Sequence, residues 1–198
     1  MEFAIIGAGG FAREIRAAMG TPDVKMFIDD QYLTTESGVY GLSQFDPEKY
    51  MVIVAVGDPK DRFDIIQRLP KETKYFTFID PSAIIMDENT QIGEGSIICA
   101  GTIITTNVKI GKHAHLNLHT TIGHDCEIGD YFTTAPGAKI SGNCKIFDCV
   151  YVGTNASIKE KTSIHSLSTI GMNAAVVKHI EEPGVYVGVP ARKLSNKL

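Results

Sequence analysis

Between Met86 and Val176 an aliphatic side chain recurs at every sixth position: Met86, Ile92, Ile98, Ile104, Ile110, Leu116, Ile122 and Ile128, then, past Thr134, from Ile140 through Val152 and Ile164 to Val176. Four residues after each stands a mostly small one, such as Ser96, Thr102, Ala114, Thr120, Cys126 or Ala138. A period of six matches neither the 3.6 of an amphipathic helix nor the two-residue alternation of a half-buried ribbon. It matches a parallel β-helix, in which each hexapeptide forms one flat face and three make a coil of about 18 residues. One coil cannot bury its own aliphatic residues, whereas coils stacked about 4.8 Å apart bond strand to strand and pile the column into a core. The stretch is long enough for about five coils. Thr134 breaks the column beside a cluster of histidines.

The chain ahead of the repeats reads as a small parallel α/β domain, residues 1–80. Phe3 to Ile6 is an apolar strand, Gly7-Ala8-Gly9-Gly10-Phe11-Ala12 a glycine turn, and Arg13 to Met19 a helix. Together they suit a phosphate-binding turn; the blander alternative is that the glycines only make a tight connection. The strand Lys25 to Ile28 ends in Asp29-Asp30, about twenty residues beyond the glycines, where an acidic side chain meets a ribose or base. A strand from Met51 to Val56 stops at Gly57-Asp58-Pro59, and a helix over 62–68 and a strand over 75–79 follow. A dinucleotide needs two mononucleotide halves and this chain has room for one, so a nucleotide-linked sugar fits better than NAD. Asp80-Pro81 marks the boundary. Residues 81–180 form the solenoid, and the tail 181–198, with Arg192, Lys193 and Lys197, caps its open end or lies near an anionic cofactor.

A net charge of −4 and a pI near 5.8, with no basic stripe, argue against nucleic acid and for a small-molecule partner. No apolar run is long enough to span a membrane, and Met1-Glu2 lead straight into a strand, so the expected location is cytoplasmic. Cys99, Cys126, Cys144 and Cys149 show no Cys-x-x-Cys spacing. Cys126 and Cys144 occupy the small inward position of successive coils and are expected as reduced core thiols.

His113, His115, His119 and His124 fall within one short segment. In the hexapeptide register His124 lies directly beneath Gly142. Attack on a thioester needs a base for the incoming nucleophile and a backbone N–H for the oxyanion, and these two positions supply both. His113, His115 and His119 are expected on turns or facing a neighbouring subunit, with His115, in the column of Thr133, second in line as a base. A rival reading compares His119 and His124 with the zinc pair of β-helical carbonic anhydrases. That site needs a third histidine about two coils upstream, where Ala83 and Glu88 stand, so no metal is expected. A non-catalytic scaffold or sugar-binding protein is a third reading.

The repeats, the segment His124-Asp125-Cys126-Glu127-Ile128-Gly129-Asp130 and the closing Gly184-Val185-Tyr186-Val187-Gly188-Val189-Pro190-Ala191-Arg192 resemble the left-handed β-helix acyltransferases. With the Gly-Ala-Gly-Gly loop ahead of the repeats, the chain looks like the sugar acetyltransferases typified by the bacillosamine-pathway N-acetyltransferase and the sialic acid O-acetyltransferases. The resemblance implies a Rossmann-like α/β domain followed by a left-handed β-helix, and a homotrimer with active sites between subunits. It implies transfer of acetyl from acetyl-CoA to an amino group, the 4-amino, of a nucleotide-linked deoxyamino sugar for surface glycan synthesis; O-acetylation of a sialic acid or related sugar is the alternative. His124 is then the general base, Asp125 its orienting acid, Asn117 a substrate hydrogen bonder and Gly142 the contact of the acetyl carbonyl. Gly9, Gly10, Phe11, Asp29, Asp30, Gly57 and Asp58 are expected around the nucleotide sugar, and Thr133, Gly142, Thr154 and Gly171 along the pantetheine arm. Two positions depart from the family example, which has histidines where this chain has Phe11 and Thr133.

Overall fold

A left-handed backbone conformation returns every sixth residue along the solenoid. Asn107, His113, His119, Asp125, Tyr131 and then Asn143 through Asn173 have φ between 54° and 60°, and Gly95, Gly101 and Gly137 fill the same places in the series. This conformation costs an L-residue about 1–2 kcal/mol, and Asn, Asp and His tolerate it better than most. These residues are the corners of a triangular coil, and two-residue strands run between them in three parallel sheets that wind as a left-handed β-helix. The structure, a computed structural model, describes residues 1–194 apart from residues 34 and 36.

Below the first coil the pairing follows the expected offset: Ile103 pairs with Thr121, Thr121 with Lys139, Lys139 with Ser157 and Ser157 with Ala175. Leu116, Ile122, Ile140 and Ile158 pile into one core with Ala114, Cys126, Ala138 and Ala156 between them. Burying each such aliphatic side chain is worth about 1.5–3 kcal/mol. Thr134 is buried in the same column without loss, since its hydroxyl meets Thr120 Oγ1 at 2.7 Å and accepts the Asn117 N–H at 2.9 Å. All four cysteines are free, and the Cys126 and Cys144 thiols donate to the carbonyls of Ser141 and Lys159.

The first coil slips by one residue. Ile85, not Met86, pairs with Ile104, and Met86 is 59% exposed. The extra residue is absorbed in a turn around Asp87, whose carboxylate accepts the N–H groups of Asn89 and Asn107 at 2.9 Å each. The expected strand over 75–79 is also divided: Lys74–Tyr75 closes the α/β sheet, whereas Phe78–Ile79 pairs with Ile97–Ile98 in the solenoid.

The α/β sheet comprises β1 (Glu2–Ile6), β2 (Lys25–Ile28), β3 (Val39–Gly41), β4 (Tyr50–Val54) and β5 (Lys74–Tyr75), all parallel, in the order β3-β2-β1-β4-β5. Helix α1 (Gly10–Ala18) follows β1 and α2 (Pro59–Arg68) follows β4. The three-residue β3 has no apolar run long enough to announce it in the sequence. Ile5, Ala12 and Ile15 share a core with Ile97 and Cys99 of the solenoid, so the two parts are joined by apolar packing. At the far end Gly184–Val187 adds a strand beside Ser168–Ile170, Arg192–Lys193 turns back on it, and Tyr186 enters the solenoid core. Lys197 lies outside the described residues. Among those described, no helix is long and apolar enough to cross a membrane.

Candidate active site

His124 stands immediately before a corner residue, Asp125, whose φ is 59°. The corner turns the two side chains toward one another, with His124 Nδ1 2.7 Å from Asp125 Oδ2. The other carboxylate oxygen accepts Asn107 Nδ2–H from the preceding coil at 2.7 Å. These two bonds, Asn107's first, hold Asp125 below the usual carboxylate range. An ionised carboxylate only accepts, so Nδ1 carries a ring proton, and in the neutral ring the free lone pair is on Nε2. One coil on, a Cβ at residue 142 would fall 2.6 Å from that Nε2, so the ring lies over a glycine for want of other room. The imidazole, exposed, thus covers a buried glycine whose N–H no described residue accepts.

Two cavities flank the α/β sheet. The larger, about 740 Å³, opens at the carboxyl ends of β1, β2 and β4 and is lined by Gly7, Gly9, Arg13, Asp29, Tyr32 and Arg68 among others. Arg68 pairs with Asp29 at 2.9 Å and is the main reason that carboxyl is held below its ordinary range. The smaller, about 380 Å³, lies between α1 and the solenoid and is lined by Gly10, Phe11, Gly57, Asn117, Thr133 and Thr154 together with His115. The cavities adjoin along two peptide units: Gly9 and Val56 line the first, Gly10 and Gly57 the second. A Cβ at Gly9, Gly10 or Gly57 would meet nothing within 4 Å, so these glycines face open space where the cavities adjoin. Gly7 differs, with φ at +117° and a Cβ position 3.0 Å from the Ala55 carbonyl oxygen; it makes the tight turn.

Most of the expected residues therefore divide among three places, and Asp30, Asp58 and Gly171 lie outside them. His124, Asp125 and Gly142 share the corner. Gly10, Phe11, Gly57, Asn117, Thr133 and Thr154 share the cleft, although Thr133 Oγ1 is also bonded to Arg62 at 2.8 Å and to the Gly57 carbonyl at 3.1 Å. Gly9 and Asp29 line the larger cavity. Asp30 turns from it to accept the Ser43 N–H and hydroxyl at 3.0 and 2.5 Å, and Asp58 caps α2 by accepting from Lys60 and Asp61. Gly171 lies further along the solenoid against Val187. The corner at 123–126 and the cleft corners at 117–120 and 135–138 stand at opposite ends of one face of the triangle, so in a single chain the histidine does not reach the cleft.

His113 occupies a turn, as expected, whereas His115 lies in a strand, and both are buried, which sequence reasoning does not show. His113 packs its ring against Tyr75 and Tyr131, and burial pushes its pKa down to about 4. His115 Nδ1 lies 3.1 Å from Arg62 Nη1, and burial keeps the ring neutral. With that lone pair engaged, His115 offers no free base. Arg62 itself was not anticipated, because nothing local separates it from Arg68 on the same helix. Among the described residues no group of His, Cys, Asp and Glu converges to hold a metal.

A parallel α/β domain set before a left-handed β-helix, with a histidine–aspartate pair over a glycine of the next coil, defines a two-domain hexapeptide-repeat acyltransferase. Residues 2–69 match the PglD N-terminal domain family. The chain is similar to WeeI from Acinetobacter baumannii AYE, with 34% identity over 98% of this chain and 100% of that one and a TM-score of 0.86. It is similar to the acetyltransferase domain of PglB from Neisseria gonorrhoeae FA1090, solved in complex with acetyl coenzyme A, at 29% identity over 98% of both chains and a TM-score of 0.84. PerB from Caulobacter crescentus, solved with CoA and GDP-perosamine, shares the fold at 22% identity over 98% of both chains and a TM-score of 0.87. A comparison with curated proteins finds no match. The chain belongs to the two-domain, left-handed β-helix sugar acetyltransferases.

Proposed function

We propose that this chain transfers the acetyl group of acetyl-CoA to the amino group of a nucleotide-linked deoxyamino sugar. The observation that carries the reaction is His124 itself, with Nδ1 bonded to Asp125 and Nε2 set against Gly142 of the next coil, whose N–H no described residue accepts. The amine attacks the thioester carbonyl and gives its proton to His124. The Gly142 N–H holds the oxyanion, Asp125 favours the imidazolium, and collapse expels CoA as thiolate, which takes the proton back from His124. Acetyl-CoA binding in the similar PglB domain supports the donor. The adjoining cavities support the acceptor: the nucleotide occupies the larger, with Asp29 at its base or ribose, the phosphates pass Gly9 and Gly10, and the sugar enters the cleft of Phe11 and Asn117. The pantetheine arm runs past Gly142 along the coils of Thr154 and Gly171. Residues 1–80 thus hold the nucleotide, 81–180 carry the chemistry and 181–194 of the tail cap the solenoid of a cytoplasmic enzyme.

Because one chain keeps His124 away from its own cleft, the site is completed by a second copy, in a homotrimer with active sites between subunits. Sedimentation equilibrium tests the assembly, and a fully active monomer would overturn it. The reaction is tested by incubating the protein with acetyl-CoA and UDP-, dTDP- and GDP-linked 4-amino-sugars beside their 4-hydroxy counterparts. CoA release and an acetylated amine are expected; acetylation of the hydroxy sugars alone, or of neither, refutes the reading.

A further inference from the structure

Arg62 is a charge taken out of water for which the proposed chemistry has no use. It projects from α2 into the junction with the solenoid and is wholly buried. Carbonyl and hydroxyl oxygens and one imidazole nitrogen hold it. Nε donates to the His113 carbonyl at 3.0 Å, and Nη1 to the carbonyls of Val56 and Gly57 at 2.7 and 3.3 Å and to His115 Nδ1 at 3.1 Å. Nη2 donates to the Tyr131 and Phe132 carbonyls at 2.8 and 3.3 Å and to Thr133 Oγ1 at 2.8 Å. Burying a charge is costly unless its hydrogen-bonding capacity is met, and the planar five-donor fork of arginine meets it here as a lysine ammonium cannot.

A guanidinium only donates, so His115 Nδ1 is the acceptor and the proton of the neutral ring lies on Nε2, which is buried and makes no hydrogen bond among the described residues. The same fork fixes Gly57 and Thr133, and both of these, with His115, line the cleft. Another face of the helix presents Asp61, Asp64, Ile65 and Arg68 to the larger cavity. One short helix is therefore a wall of the first cavity and, through Arg62, sets three members of the second.

We propose that Arg62 is a positioning residue for acetyl transfer: it locks His115 in the Nε2–H form and fixes Gly57 and Thr133, so that a sugar whose nucleotide is anchored beyond Gly9 meets the cleft in one register. This rests on the reading of the cavities as nucleotide and sugar compartments. The first test needs no substrate. In full-length protein labelled with ¹⁵N-histidine, long-range ¹H–¹⁵N spectra report the tautomer of His115, assigned by the signal lost in His115→Gln. A neutral Nε2–H ring is expected between pH 6 and 8, giving way to a mixture of tautomers in Arg62→Lys. An Nδ1–H ring or an imidazolium in the wild type overturns the proposal.

The second test is kinetic. Arg62→Lys should lower kcat with the sugar nucleotide by about 10²-fold, the effect of a misplacement near 1 Å, while the KM for acetyl-CoA and the affinity for the free nucleoside diphosphate stay as in the wild type. Thr133→Val, which removes a single bond of the fork, should lower kcat in the same pattern by less, and it serves where Arg62→Lys does not fold. A lowered Tm with wild-type kcat and tautomer would make Arg62 a mere clamp and overturn the assignment. If the wild type acetylates no nucleotide sugar, the reading of the function fails, and the labelled protein still decides whether Arg62 sets the ring.

Discussion

Replacing Gly142 with alanine perturbs the proposed base through a single methyl group. The backbone there lies outside the left-handed region, so alanine is compatible with the local fold. The new Cβ would stand 2.6 Å from His124 Nε2 and 2.8 Å from Cε1, where ordinary contact begins at 3.4 Å. The ring must retreat by about 0.8 Å to relieve the closest of these contacts. His124 is more than half exposed and its side chain is held by the Asp125 bond, so it can swing outward at little cost in stability. Displacement of this size at a reacting atom lowers the rate by about 10²-fold. The expected result is a fall of that order in kcat, followed by CoA release under saturating substrates, with an unchanged Tm and an unchanged KM for the sugar nucleotide. Wild-type turnover in Gly142→Ala would show that His124 over residue 142 is not the reacting arrangement.

His124→Ala should lower kcat by about 10²- to 10⁴-fold while acetyl-CoA still binds, and Asp125→Asn should cost less; near-normal steady-state turnover in His124→Ala moves the base elsewhere. Gly9→Val should raise the KM for the sugar nucleotide with Tm and acetyl-CoA KM unchanged, because a Cβ at this position meets no protein atom within 4 Å; equal losses for both substrates would point to a damaged fold instead. His113 binds its proton more readily unfolded, at an ordinary value of about 6.5, than folded, at about 4. Stability is therefore lost as pH falls from about 6.5 towards 4, by up to about 3 kcal/mol, and His115 acts in the same direction. His113→Asn, which tolerates the left-handed corner, should flatten the dependence of urea unfolding on pH between 7 and 5, and an unaltered slope would assign it to another group.

The solenoid was legible because its order is local and repeated. Each coil bonds only to its neighbours, so a step of one coil in sequence is a step of one layer in space. That arithmetic alone stacks Ile122 on Ile104 and brings His124 beneath Gly142. The glycine turn after β1 was equally legible, since strand, turn and helix are contiguous in the chain. What escaped lies where the repeat breaks or where two unlike surfaces meet. The slip at Met86 depends on Asp87 reaching the Asn107 N–H in the next coil, a contact no period announces. The burial of His113, His115 and Arg62 was decided by the docking of α2 onto the solenoid, which draws together residues 51 to 71 positions apart. The same docking divides the expected site, leaving the cleft at one end of a solenoid face and His124 at the other. The sequence settled which residues stack on one another along the coils, through a repeat that fixes register; tertiary packing settled which of the candidate residues meet, because contact between domains follows surface shape and buried charge, and neither is periodic.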